Sequence, residues 1–111
     1  MHWFNFDKLS LMKHVWQGEL NRIFHTKNIT IMKFSGKRGY KFHDDGHKSE
    51  QITILLKGKF NFYVGNEKRI MKKWDTIFIE PYEKHGGEAL TDIEGLDVFF
   101  PKRTEEKYRV D

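Results

Sequence analysis

The sequence predicts an all-β protein whose strands close into a sandwich or barrel. Three features point there: short runs that alternate apolar and polar residues, enrichment of those runs in Ile, Thr, Phe and Val, and turn residues between them at intervals of about 8–12 residues. In "ELNRIF" (19–24), Leu20, Arg22 and Phe24 share one face and Asn21 and Ile23 the other. In "NITIMKF" (28–34), Ile29, Ile31 and Lys33 oppose Thr30, Met32 and Phe34. "QITILL" (51–56), "KFNFYV" (59–64), "DTIFIE" (75–80) and "GLDVFF" (95–100) continue the pattern. Ser35-Gly36, Lys57-Gly58, Gly65-Asn66, Pro81-Tyr82 and Gly86-Gly87 supply the turns.

Residues 1–15 follow no single period, although Trp3, Phe4, Phe6, Leu9, Leu11 and Met12 are apolar. They read as an arm laid over one end or edge of the sheet. Residues 104–111 are polar and are expected to fray.

A chain of 111 residues makes one domain. At this size roughly 65% of the unfolded surface is buried, enough for a core without staples. There is no cysteine, so disulfides and thiolate metal ligands are excluded. The net charge is +4, but the lysines are scattered as on the wet face of strands, so no nucleic-acid partner is expected. No apolar run reaches the ~18 residues of a membrane span, and "MHWFNFDKLSLMKHVW" lacks the apolar core of a secretory signal. The cytoplasm is the default location.

The chemistry concentrates in "FHDDGHKSEQ" (42–51). Side chains alternate along a strand, so His43, Asp45 and His47 would share a face, and Gln51 has the same parity. Glu50 would face away. His85, after a later strand and the Pro81 turn, can reach the same point. A metal site would then comprise His47, Gln51, His85 and either Asp45 or His43. Two imidazoles with oxygen donors suit Fe(II), Mn(II), Ni(II) or Zn(II). The competing reading is an exposed turn, because Asp44-Asp45-Gly46 is also good turn sequence.

The stretch from Gly39 to Gly58 resembles the first cupin motif, G-x5-H-x-H-x3,4-E-x6-G. Asp45 stands at the first histidine position, His47 at the second and Gln51 at the glutamate position. Trp74 to His85 resembles the second motif, with Trp74 and Tyr82 in place of glycines. The resemblance spans residues 16 to 103. Within cupins, "EQITILLKGKF" and "GLDVFFPKR" are similar to small single-domain members of the KdgF type. Those convert a 4,5-unsaturated monouronate to its open-chain keto form, and Gln replaces Glu among their metal ligands.

The resemblance implies a double-stranded β-helix, or jelly-roll, cupin barrel over residues 16–103, one divalent metal and a homodimer. It also implies that Asp97 is a general acid/base, Phe99 a wall for the sugar ring and Arg103 a clamp for the substrate carboxylate. Read without it, Asp97 is a strand residue facing water and Arg103 part of a basic tail. The expected function is a metalloenzyme acting on a small anionic sugar acid. The alternatives are an Fe(II)-dependent cupin dioxygenase and a non-catalytic ligand-binding module.

Overall fold

A computed structural model describes residues 2–12 and 20–109. Among these residues nine strands follow in chain order: β1 Leu20–His25, β2 Thr30–Gly36, β3 Lys41–Asp44, β4 Glu50–Lys57, β5 Phe60–Val64, β6 Glu67–Met71, β7 Thr76–Ile79, β8 His85–Ala89 and β9 Ile93–Phe100. They form two antiparallel sheets, ordered β1-β2-β9-β4-β7 and β3-β8-β5-β6. This is the jelly-roll arrangement expected. The helical elements among the described residues are single 3-10 turns at Phe6–Lys8 and Glu106–Tyr108, and no helix there is long and apolar enough to cross a membrane.

Six of the strands coincide with the alternating runs. β3, β6 and β8 do not, for distinct reasons. β6, "EKRIM", is polar at three of its four exposed positions, Ile70 being the fourth, and carries no alternation. β8, "HGGEA", reads as a turn because of its paired glycines. Its position between β3 and β5 explains them. A Cβ on Gly86 would lie 2.4 Å from the Phe42 carbonyl oxygen and 2.5 Å from the Tyr63 hydroxyl. The strand is inserted where only a bare backbone passes.

The inward faces meet in an aromatic core of Phe34, Phe60, Phe62 and Phe99, completed by Leu55, Ile79 and Ile93. Each such buried side chain contributes about 1.5–3 kcal/mol relative to exposure. The parities read for β1 and β2 hold: Asn21, Ile23, Thr30, Met32 and Phe34 face inward.

The N-terminal arm does lie against the sheet. Phe4 stacks on Phe24 with ring centres 4.5 Å apart, and Leu11 bridges to Arg22. The boundary between arm and barrel at residues 15 and 16 falls outside the described residues. The tail expected to fray is instead folded back as far as Arg109. Tyr108 is buried, and His25 links its carbonyl oxygen (2.8 Å) to the Thr30 hydroxyl (2.7 Å). An aromatic residue in a polar run is what anchors it.

Candidate metal centre

β3 and β8 pair with Asp44 directly opposite His85. On the other sheet, β4 and β9 pair Gln51 with Phe99 and Thr53 with Asp97. All six point inward across a cavity of about 990 Å³, which Arg103 also lines. His47 lies in the loop from β3 to β4 and joins the two walls.

The ligand atoms of Asp44, His47 and His85 all lie within 4.8 Å of one another. Gln51 adds a fourth donor, its Oε1 being 3.0 Å from His47 Nε2. The expectation that Asp45 or His43 would complete this set is corrected by the structure. β3 alternates Lys41 out, Phe42 in, His43 out, Asp44 in. Gly46 then adopts φ +111°, a left-handed conformation that breaks the strand parity and returns His47 to the interior. A Cβ at Gly46 would also strike the Tyr82 carbonyl oxygen at 2.4 Å. The run 43–45–47 therefore never forms one face. Asp45, with its side chain 83% exposed, accepts a 2.6 Å bond from His43, whose other ring nitrogen bonds the Tyr63 hydroxyl.

The site residues are held in forms that suit a divalent cation. His85 Nδ1 lies 2.9 Å from the Glu83 carbonyl oxygen, which can only accept, so Nδ1 carries the proton and Nε2 keeps its lone pair. Burial pushes both His85 and His47 below the usual imidazole pKa, and the nearby Arg103 charge adds to this. Neutral imidazole is the ligand form. His47 Nδ1 is buried without a hydrogen-bond partner. The Gln51 amide is fixed in the opposite sense: its Nε2 donates to the Thr53 hydroxyl (2.8 Å) and to Asp97 Oδ1 (3.3 Å), which turns Oε1 toward His47. A carboxylate, two neutral imidazoles and an amide oxygen form a set that fits Fe(II), Mn(II), Ni(II) or Zn(II).

Asp97 is buried rather than facing water, and Thr53 donates to its Oδ1 at 2.6 Å. Phe99 is buried beside the His47 ring, with centres 5.8 Å apart. The Arg103 side chain is 3% exposed and lies between Phe99 and Tyr108, 4.8 and 4.1 Å from the two ring centres. Its fork is partly taken. Glu105 Oε2 accepts from Nε at 3.0 Å and from Nη2 at 2.5 Å. Hydrogen bonding to Arg103 holds Glu105 at a pKa of about 2 despite its partial burial.

Sequence reasoning missed Asp44, Thr53, Glu105 and Tyr108. Thr53 was legible, since it shares parity with Gln51 in a strand already assigned. Asp44 was not, because the parity break at Gly46 is a backbone event with no side-chain signal.

No protein-family model and no curated protein matches the sequence. Solved structures do. An RmlC-like cupin from Shewanella frigidimarina superposes with a TM-score of 0.84 at 18% identity, covering 93% of each chain. KdgF from a Halomonas species gives 0.82 at 25% identity, covering 91% of this chain and 95% of that one. Ectoine synthase from P. lautus gives 0.80 at 14% identity, over 94% and 80% respectively. With nine strands in this order among the described residues and the polar residues gathered inside the barrel, the chain has the fold of a small RmlC-like cupin and resembles KdgF.

Proposed function

We propose that this cupin is a divalent-metal-dependent enzyme that opens the ring of an unsaturated uronate and releases its keto form. The observation that carries the reading is that Asp44, His85, Gln51, Asp97 and Arg103 line one cavity, with His47 grouped beside Asp44, His85 and Gln51. The resemblance to KdgF-type proteins supplies the substrate class.

Asp44, His47, His85 and Gln51 would hold the metal, which when bound supplies Lewis acidity to a substrate oxygen. The chain's own residues account for the proton. Asp97 takes it from the anomeric hydroxyl, the bond from that carbon to the ring oxygen breaks, and an enol is left at the former ring carbon. Return of a proton to the adjacent carbon gives the ketone, so atoms and charge balance. Thr53 and Gln51 anchor Asp97 Oδ1 and so fix the carboxylate's orientation. Phe99 bounds the space available to the ring. Arg103 offers the guanidinium edge that Glu105 does not occupy to the substrate carboxylate. A cavity of about 990 Å³ accommodates a monosaccharide acid.

The test is metal content by mass spectrometry, followed by the ultraviolet absorbance of a 4,5-unsaturated galacturonate. Near one metal per chain, with absorbance lost in the loaded wild type but not in Asp97→Asn, supports the reading. Metal-loaded protein that leaves the absorbance unchanged overturns it.

A further inference from the structure

The outer face of the four-stranded sheet carries an arrangement that the metal centre does not use. The register sets His43, Gly86, Tyr63 and Lys68 in one outward row across β3, β8, β5 and β6. Gly86 leaves a gap in that row, and Tyr63 lies in it. A Cβ on Gly86 would meet the Tyr63 hydroxyl oxygen at 2.5 Å and its Cζ at 2.8 Å. A phenol that starts on β5 and ends over β8 runs along the sheet instead of standing off it. Both near atoms lie on the ring axis, so the ring turns a face to the glycine and not an edge.

The ring is held from the β3 side. His43 Nδ1 bonds the Tyr63 hydroxyl, and His43 Nε2 donates to Asp45 Oδ1 at 2.6 Å. The two rings are 22° from parallel with centres 6.0 Å apart. Bonded edge to edge at that separation, they lie side by side and make one flat surface over three strands. The His43 side chain is 50% exposed and Tyr63 is partly exposed, so the other side of this surface meets solvent.

The groups around it indicate what it takes. Ring faces are electron-rich, and the C–H groups along one side of a pyranose are weakly positive, so a sugar ring stacks there while its hydroxyls reach outward. Asp45, and Asn61 and Glu88 paired across β5 and β8, supply acceptors for those hydroxyls. Positive charge comes from Lys68, opposite Tyr63 on β6, and from Lys84. The bond from His43 holds the Asp45 carboxyl below its usual range, and Lys84 adds to this. An anionic sugar meets all of these demands. A nucleic acid does not, because Asp45 and Glu88 would face its phosphates. Nor is this an apolar patch of the kind that marks a protein contact.

We propose that the Tyr63–His43 surface is a second sugar site on the outside of the barrel, taking an oligouronate with one pyranose ring stacked on both side chains and its carboxylate toward Lys68. The surface itself points to an anionic sugar, and the choice of uronate rests on the function proposed above. The two sites stand back to back on β8, where Gly86 lies beneath Tyr63 and the adjacent His85 faces the metal centre. A uronate chain is also the source of the cavity's substrate, since eliminative cleavage of such a chain leaves a 4,5-unsaturated end. Holding the chain outside would keep the protein where that substrate is released.

Titration of isotope-labelled protein with saturated tetragalacturonate, followed by amide chemical shifts, tests this. The probe lacks the double bond, so its binding is read separately from turnover of the unsaturated monouronate, and either can fail alone. Shifts should concentrate on β3, β5, β6 and β8. Tyr63→Ala should raise the Kd at least about 10-fold, and Tyr63→Phe, which keeps the ring but loses the bond to His43, about 3-fold. Lys68→Glu, on an exposed strand, should raise it about 5-fold even if Tyr63→Ala fails to fold, and uncharged cellotetraose should bind weaker by a similar factor. Asp97→Asn, inside the barrel, should leave the Kd unchanged. No shift up to about 10 mM tetragalacturonate, a Kd that Tyr63→Ala or Lys68→Glu leaves unmoved, binding lost in Asp97→Asn, or tighter binding of a single-stranded oligonucleotide would overturn the proposal.

Discussion

The two ends of the cavity are built on opposite electrostatic principles. At the Asp44 end, acceptors converge: a carboxylate, two imidazoles held neutral by burial and an amide oxygen turned inward by Thr53 and Asp97. At the Arg103 end, a buried cation is already matched by Glu105 and covered by two aromatic faces. The first arrangement gains from a guest cation. The second is complete within the chain and yields only one guanidinium edge to a ligand. The ends therefore answer differently to the same kinds of perturbation.

The largest difference concerns metal. His85→Ala and Asp44→Asn are each expected to lower divalent-metal affinity by more than about 100-fold, since loss of a direct ligand exceeds the 10–100-fold typical of an outer partner. Asp45→Asn should leave the affinity unchanged, because that carboxylate faces water beside His43. Isothermal titration with Zn(II) or Mn(II) compares the three. Equal losses at Asp44 and Asp45 would refute the inward placement of Asp44. At the other end, Glu105→Gln should alter metal affinity little.

Stability gives the converse pattern. Arg103→Ala removes a buried cation packed on two rings and leaves Glu105 without its partner. A loss of about 3 kcal/mol is expected by urea denaturation. Asp44→Asn in the metal-free protein should destabilise far less or even stabilise, because it relieves a cluster of converging acceptors. A metal-free Asp44→Asn protein as unstable as Arg103→Ala would erase the contrast between the ends.

How much of this contrast is written in the sequence depends on what encodes each part. Strand faces set by side-chain alternation were readable as far as parity goes: "GLDVFF" puts Asp97 and Phe99 on one face, but alternation alone read that face as wet, and only the resemblance turned it to the inner wall where Gln51 also lies. His47 and His85 also meet. The choice between neighbouring aspartates was not readable, because it turns on the φ of Gly46 rather than on any side chain. Nor was the Arg103–Glu105 pair. A tail rich in Lys, Glu and Arg looks solvated until Tyr108 is known to pack over Arg103 and to be latched by His25. β8 was hidden because glycines selected for close passage resemble glycines selected for a turn.

The ends should also titrate in separate windows. His47 and His85 have folded pKa values below their unfolded value of 6.5. The unfolded chain therefore binds protons first as pH falls, and the metal-free protein should begin to lose stability below about 6.5. Glu105 contributes stability that is full above 4.5 and is lost as pH falls toward about 2. Thermal melts of metal-free wild type should decline in two stages. Glu105→Gln should flatten only the lower one, and a saturating divalent metal should steepen the upper one, since protons then compete with the ion. A single stage moved by neither change would show that the two ends do not titrate independently.

The smallest effect separates backbone strain at the metal end from strain elsewhere. Trp74 and Tyr82 have φ of +73° and +66°, a region that disfavours any residue with a Cβ by about 1–2 kcal/mol. Both side chains are exposed, so neither is repaid by burial in the chain itself. Trp74→Gly and Tyr82→Gly should each raise stability, by about 1 kcal/mol once the greater freedom of glycine in the unfolded chain is subtracted. Their consequences for metal should differ. Tyr82 donates its N–H to the His47 carbonyl oxygen at 2.8 Å, and its own carbonyl lies against Gly46, so it supports the loop that turns His47 inward. Trp74 instead donates its N–H to Leu55 at the far end of β4, and its carbonyl oxygen accepts from the Thr76 hydroxyl, so it touches nothing in the His47 loop by hydrogen bond. Glycine at 82 relaxes that loop and should weaken metal binding slightly while stabilising the fold, whereas glycine at 74 should stabilise without touching the metal. A metal affinity unchanged in both variants would mean that the strain at Tyr82 plays no part in presenting His47.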